Sequence, residues 1–547
     1  MSRQILHPRL INRQAVKPAG KISRSLSFSA ILMMAGLFLS KLTGQLREIL
    51  IIPAFNYGNV SDAYIMGFQI PDLFFQLLVG GAIQAAITPT LAAAIEKKQI
   101  GKGWRSISIF INLTALVMLV SVVAGELLTP LLIPLFSGNK PAEAIALAVQ
   151  VTRALFPQVF FMMLAALCIG ILNAYKKFAS TSFGPSIYNI FVVLSIVLFG
   201  MIGKDSPYDA VRVASGVMVA ACIYFLIQFY LARREFRNYV FSFDYRDRGF
   251  RRLLNLAIPT LISGSIVQLN AIILTGFANW FEPGIVSSLR QASTTWQLPY
   301  GIFAVAIGNV MLPSLAGFAA VHDDAGSRRL FLRSLRSALF LVIPSAGLFL
   351  AMQQDVIRAI FQWESNFTAL AVANTAKILS WYCLAMVAQT VIFLVNQAFY
   401  ARRMTKIALY NGLLTLILNS LLCLALIRGF KMGAHGLSLA YAITSCISAV
   451  LLYTFYRKLY PSAAPQRIWP FLAKSAGCVL ALLLVTVALS LLPVHPQAKI
   501  LQLLWFGLRA AAGLAAYMVA AIAMRMPEPK EVMAKILGRL GRQPKQA

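Results

Sequence analysis

Lys41, Arg47 and Glu48 stand in FLSKLTGQLREILI (Phe38–Ile51), inside an apolar stretch that runs from Phe28 to Phe55. A lone charge at the centre of a bilayer costs about 2.5–3.5 kcal/mol on insertion scales, so such side chains normally turn toward a bundle interior or an aqueous cavity. Lys41 and Arg47 are six residues apart, which on a helix leaves them some 120° from superposition. Both can reach one broad cavity without forming a single stripe. Glu48, beside Arg47, reads as a local counter-ion. Arg153, Arg290 and Lys377 are further candidate cavity cations, Arg153 and Lys377 at matching places in two halves of the chain. The plainer reading of each is a partner within its own half. A cavity whose deep charges are mainly cationic suits an anion, and the planar guanidinium fork suits phosphate in particular. Asp62 and Asp72 frame the start of the next apolar stretch, where an acid ordinarily serves only as a cap or dipole partner.

The elements that must position these residues are membrane helices. The chain is 59% hydrophobic and only 12% charged, whereas soluble domains run at about 45–50% and 25%. Apolar runs long enough to cross a hydrocarbon core, which takes roughly 20 residues of helix, recur from 27–52 to 500–525 and make fourteen expected spans. The net charge of +31 could suggest nucleic acid, but that reading needs a basic face on a soluble fold, and no such fold is visible. Lys and Arg instead crowd alternate linkers. Lys97, Lys98, Lys102 and Arg105 form one group, Arg233 to Arg252 another, and Arg402, Arg403 and Lys406 a third, while linkers such as SGNKPAE and FANWFEPG hold one basic residue or none. Basic short loops stay on the cytoplasmic side, which puts both termini there.

A basic N-terminus ahead of FSAILMMAGLFL resembles a signal peptide, but no small-residue cleavage site follows and the run continues through Ser40 and Lys41. The six cysteines all fall within expected spans, so they read as core residues rather than a disulfide framework. Asn366–Thr368 fits a glycosylation sequon by chance. No GxxxxGK[ST] loop supplies ATP chemistry, and His7, His322, His435 and His495 are scattered without metal-ligand spacing. An enzyme is not expected, nor a cofactor. Coupling to an ion or to the membrane potential stays open.

The first six spans recur as spans 7 to 12. GGAIQAAITPTLAAAIEKK sets Pro89 against Pro313 of AVAIGNVMLPSLAGFAAVHDD, ILNAYKKF stands against NQAFYARR, and Tyr188-Asn189 against Tyr410-Asn411. Two parallel halves imply two bundles rocking about a shared cavity, with the site near mid-membrane; a static scaffold is the alternative. The expected organisation is a basic tail (1–26), an N-lobe (27–233), a cytoplasmic amphipathic linker (234–251), a C-lobe (252–458), an appended hairpin (468–525) and a second basic tail (526–547). The tails read as anchors to an anionic leaflet.

The stretch SKLTGQLRE…AFNYGNVSDAY…IPDLF…GGAIQAAITP resembles the MurJ/MviN lipid II flippases of the MOP exporter superfamily. It matches at Ser40, Gly44, Arg47, Phe55, Asp62, Ala63, Pro71, Gly81, Ala82 and Pro89. RALFP (Arg153–Pro157), GILNAY (Gly170–Tyr175) and LPYGIFAVAIGNVMLPSL (Leu298–Leu315) extend the likeness over all fourteen spans. The resemblance implies an all-α transporter that carries an undecaprenyl-pyrophosphate-linked peptidoglycan precursor to the outer leaflet by alternating access. Lys41 and Arg47 would grip the pyrophosphate, with Ser40, Gly44, Asp62 and Pro71 in supporting or gating places. Partners would be the lipid-linked glycan, membrane lipids and the cell-wall synthesis machinery, in a bacterial cytoplasmic membrane.

There are departures. Lys41 stands where the family has its first arginine, Phe75 and Gln76 where paired arginines are expected, and Gly80 where an acid is expected. Ser293, Thr294 and Gln297 replace an acid, an arginine and a second acid. Arg290, one turn before Thr294, is placed to substitute in part. A flippase for another polyprenyl-pyrophosphate glycan, such as an exopolysaccharide or teichoic precursor, and a non-transporting cell-wall scaffold remain alternatives. An antiporter for cationic drugs would want deep carboxylates, and the chain has few.

Overall fold

A backbone crossing hydrocarbon must satisfy every N–H and C=O internally, and this chain does so with helices alone. The computed structural model describes residues 20–79, 82–177, 183–202, 206, 208–363, 367–402, 404–459, 468–492 and 498–529. The tail through residue 19, the tail beyond 529 and the expected features at Gly80, Gly81, Asn366, Arg403 and Arg467 lie outside the described residues. Seventeen α-helices and no strand occur among those described.

The first half holds α1 (Gly20–Phe55), α2 (Asn59–Leu78), α3 (Ala82–Glu96), α4 (Ile100–Leu132), α5 (Ala142–Ala174), α6 (Gly184–Ser195) and α7 (Asp209–Ala232). The second repeats it with α8 (Arg248–Ala278), α9 (Ile285–Pro299), α10 (Ala306–Ala320), α11 (Asp324–Ala351), the short α12 (Gln353–Phe361), α13 (Ala369–Ala401), α14 (Thr405–Leu424) and α15 (His435–Leu459). A final hairpin follows, α16 (Trp469–Ser490) and α17 (Lys499–Ala523).

Eleven segments of the described residues are long and apolar enough to cross a membrane. The other three expected spans coincide with α1, with α2 plus α3, and with α8. In the second expected span, α2 ends at Leu78 with a turn at Val79, and α3 is described from Ala82. Its counterpart in the second half stays continuous, yet passes from α9 to α10 through a wide π-type turn at Tyr300–Val305. Similar π turns end α6 (Ile196–Ile202) and α14 (Ala425–Gly429), at corresponding places in the two halves.

Packing repeats as well: α5 lies against α7 as α13 lies against α15, and α1 lies against α6 as α8 lies against α14. The halves meet where α8 packs onto α2 and α3, and where α9 touches α1 and α2. The α16–α17 hairpin rests on α11.

The linker expected to lie along the cytoplasmic interface is hydrogen-bonded to α4. Asn112 Nδ2 donates to the Ser242 carbonyl at 2.9 Å, Val240 N to Ser108 Oγ at 3.1 Å, and Tyr239 to Asn112. Asp247 accepts from Ser106 Oγ at 2.7 Å and from its own helix at Phe250 N, also 2.7 Å, and so caps α8. Phe241, Phe243 and Tyr245 stay exposed on its other face. The polar side chains of α4 supply hydrogen bonds that an amphipathic pattern does not reveal.

Candidate functional site

α1 brings Arg47 and Glu48 to the seam between the halves, and α9 brings Arg290 to it from the other side. The two oxygens of Glu48 take up both guanidinium groups. Arg47 Nη2 donates to Oε1 at 2.8 Å; Arg290 donates from Nη2 to Oε1 at 2.8 Å and from Nε to Oε2 at 3.1 Å. The Glu48 side chain is 5% exposed, while those of Arg47 and Arg290 are 23% and 37% exposed. The parallel donors of Arg290 form a two-point fork, the strongest arrangement such groups make. Tyr64, Ile65 and Phe68 of α2 close the surround, leaving a space of about 20 Å³, about the room that one water needs.

Lys41 lies two turns earlier on α1 and is exposed; its ammonium comes within 3.8 Å of where a Cβ on Gly301 would stand, against the π turn after α9. Thus α1 sets Lys41 and Glu48 against residues of the second half. Ser40 and Gly44 face the other way, onto α6: Asn189 Nδ2 donates to the Ser40 carbonyl at 3.2 Å and lies 3.3 Å from the position of a Gly44 Cβ. Pro71 is buried in the middle of α2, where its missing N–H leaves the Gly67 carbonyl without its helical donor. Asp72 follows it well inside α2 rather than at the helix start, near enough to Arg290 and Arg47 for their charges to act on it.

Arg153 and Lys377 are not brought to this cluster. The Arg153 side chain is exposed and donates from Nε to the Glu126 carbonyl at 3.3 Å. Lys377, also exposed, lines a separate cleft with Trp280, Glu282 and His435. Thr294 spends its hydroxyl on the Gln291 carbonyl at 3.0 Å, and Phe75 is half-buried beside the first-half core.

Asp62 does not cap its own helix; it caps another. Its carboxylate accepts from Gly284 N at 2.8 Å, from Ser287 N at 3.0 Å and from Ser287 Oγ at 2.8 Å, all at the start of α9. These are donors that a helix N-terminus leaves unmet. Lys140 Nζ completes the set at 2.5 Å, and both charged side chains are almost fully buried, at 2% and 1% exposed. Gly284 holds φ +93°, and a Cβ there would lie 2.3 Å from the Tyr57 ring, so only glycine permits this approach. Tyr57 in turn shares a hydrogen bond of 2.8 Å with Ser288 Oγ. Lys140 was not legible as a site residue; the signal was a lone basic residue in the short linker SGNKPAE, where the facing linkers carry few.

The family model described as "Lipid II flippase MurJ" matches residues 52–508. A "Probable lipid II flippase MurJ" of Rhizobium tropici is 29% identical over 426 residues, 77% of this chain and 79% of that protein. A "Lipid II flippase MurJ" of Burkholderia cenocepacia is 28% identical over 443 residues, 79% of this chain and 84% of that one. Among solved structures, "Lipid II flippase MurJ, inward closed conformation" superposes with a TM-score of 0.75 at 24% identity, over 90% of this chain and 99% of the other. An inward-facing multidrug resistance MATE transporter of the MOP superfamily superposes at 0.66 with 11% identity, over 77% and 94%. At those identities the structural likeness speaks for the fold. The sequence match, running from the end of α1 into α17, says more: this chain belongs to the MurJ family of lipid II flippases.

Proposed function

We propose that the chain transports lipid II across the bacterial inner membrane as a transporter and not an enzyme, and that Arg47 and Arg290, with Lys41 alongside, hold its pyrophosphate during transfer. One observation carries the reading: a single buried carboxylate, Glu48, joins a guanidinium from each half of the molecule. An incoming pyrophosphate offers the same donors a more highly charged acceptor. Replacing Glu48 by that anion frees the halves from their present mutual contact.

Alternating access then runs between 27–233 and 252–458 as two lobes, with 468–525 appended. One turn from Arg290, at the start of α9, the Asp62–Gly284 and Asp62–Ser287 contacts hold the lobes shut and must part when that end opens. Both termini face the cytoplasm on the argument from basic linkers, and the cell-wall synthesis machinery receives the product.

Complementation tests the proposal. In cells depleted of their own lipid II flippase, the wild-type chain restores growth, and Lys41→Ala and Arg47→Ala do not, although both reach the membrane at wild-type level. Rescue by both variants would remove the cations from the mechanism. No rescue by the wild type would move the substrate to another polyprenyl-linked glycan.

A further inference from the structure

Away from the seam, the ends of α11 and α16, the whole of α12 and the start of α17 enclose a cleft of about 830 Å³. It opens at the end of the bundle opposite the arginine-rich linkers, since α11 and α16 both begin on the basic side and end here. Arg358, Lys499 and Arg509 line it with one carboxylate, Asp355. Three cations against one acid leave an excess of positive charge in a partly enclosed space.

The donors are only partly used. Arg509 is 8% exposed. Its Nη1 meets Asp355 Oδ2 at 2.7 Å and its Nη2 the Thr486 carbonyl at 3.5 Å, whereas its buried Nε has no hydrogen-bond partner among the described residues. A buried donor left unmet is destabilising, which points to an acceptor that belongs there. Lys499 Nζ donates to the Arg358 and Gln362 carbonyls at 2.8 and 2.6 Å and closes the end of α12; an ammonium has a third N–H beyond these two. Arg358 makes a long contact of 3.9 Å with Asp355, and its side chain is 46% exposed.

The flank beside the cleft is apolar. Leu491, Ile500, Leu504 and Leu508 are 81%, 73%, 64% and 56% exposed on the hairpin. In a bilayer such side chains face acyl chains. A cationic pocket at headgroup level that adjoins a lipid-facing apolar wall matches one chemistry: a phosphate esterified to a lipid.

We propose that this cleft binds the headgroup phosphate of an anionic phospholipid of the leaflet opposite the basic linkers, with its acyl chains along the α16–α17 hairpin. The phosphate accepts from Arg509 Nε, Arg358 and the third N–H of Lys499. The site is separate from the Arg47–Glu48–Arg290 cluster and does not depend on the lipid II reading.

The test uses the full-length protein in phosphatidylcholine nanodiscs, with phosphatidylglycerol added in steps and the melting temperature recorded. Phosphatidylglycerol raises the melting temperature of the wild type. Arg358→Gln shifts the midpoint of that response to about tenfold more lipid, the scale of one charge-assisted hydrogen bond, and leaves the melting temperature in pure phosphatidylcholine unchanged. Arg509→Lys, which keeps the charge and loses Nε, shifts it similarly; Arg329→Gln, on the basic side, does not. No response in the wild type, or an Arg358→Gln midpoint equal to wild type, overturns the proposal. A separate arm with glycerol 1-phosphate in pure phosphatidylcholine discs fixes the source: an equal rise in melting temperature there overturns the lipid assignment.

Discussion

On the proposed reading, Arg290 takes over work that the family pattern assigns elsewhere. Thr294 and Phe75 stand where arginines are expected, and Arg290, one turn from Thr294, reaches Glu48 with two donors. We expect Arg290→Ala to lower lipid II translocation on the order of tenfold, the scale of one lost charge-assisted contact of about 1.5–3 kcal/mol, and Arg329→Ala to leave it unchanged. Appearance of lipid II at the outer leaflet, read by a probe that cannot cross the membrane, makes the measurement; equal loss in both variants would dismiss the substitution. Arg290 was legible because helix periodicity relates it to Thr294 locally. Its pairing with Glu48 was not, since 242 positions separate the two residues. The contact of Asp62 with α9 was not legible for the same reason: its sequence neighbours suggest a cap or dipole partner for its own helix, in whose first turn it does stand, while folding also hands it the N-terminus of α9.

At the scale of elements, helix type and approximate bounds follow from composition, since hydrocarbon leaves few alternatives. The breaks do not follow. Nothing in GGAIQAAITP states that α2 ends at Leu78 while α9 and α10 continue through a π turn; each outcome depends on which neighbour can satisfy the freed backbone groups. The junction of α2 with α9 is the element contact with the most definite consequence. Asp62→Asn keeps the shape but removes the charge that holds both Lys140 and the α9 N-terminus. Leaving a buried partner unpaired costs about 3 kcal/mol, so conformations open at this end gain population. A Ser288→Cys reporter on a cysteine-free background will react faster with a membrane-impermeant thiol reagent in Asp62→Asn than in the parent. An unchanged rate would mean that the latch carries none of the closure.

For the whole molecule, the two-half pattern is visible twice, in the prolines and Tyr-Asn pairs of the sequence and in the matched packing of α5 on α7 and α13 on α15. How the halves close on one another was not legible, because seam contacts join residues with no sequence relation. The closure around Glu48 has a further effect on a carrier that spends time idle. Two guanidiniums within the helical bundle would ordinarily draw chloride and open a leak, yet here an internal carboxylate is already paired with both beside a space of about 20 Å³. A monovalent ion gains little by competing; an acceptor with several negative charges gains much. Proteoliposomes holding the wild type should therefore stay tight to chloride, while Glu48→Gln, which exposes the two cations, should let it through. With that outcome, the carboxylate that links the halves would also be an electrical seal, protecting the membrane potential between one cargo and the next.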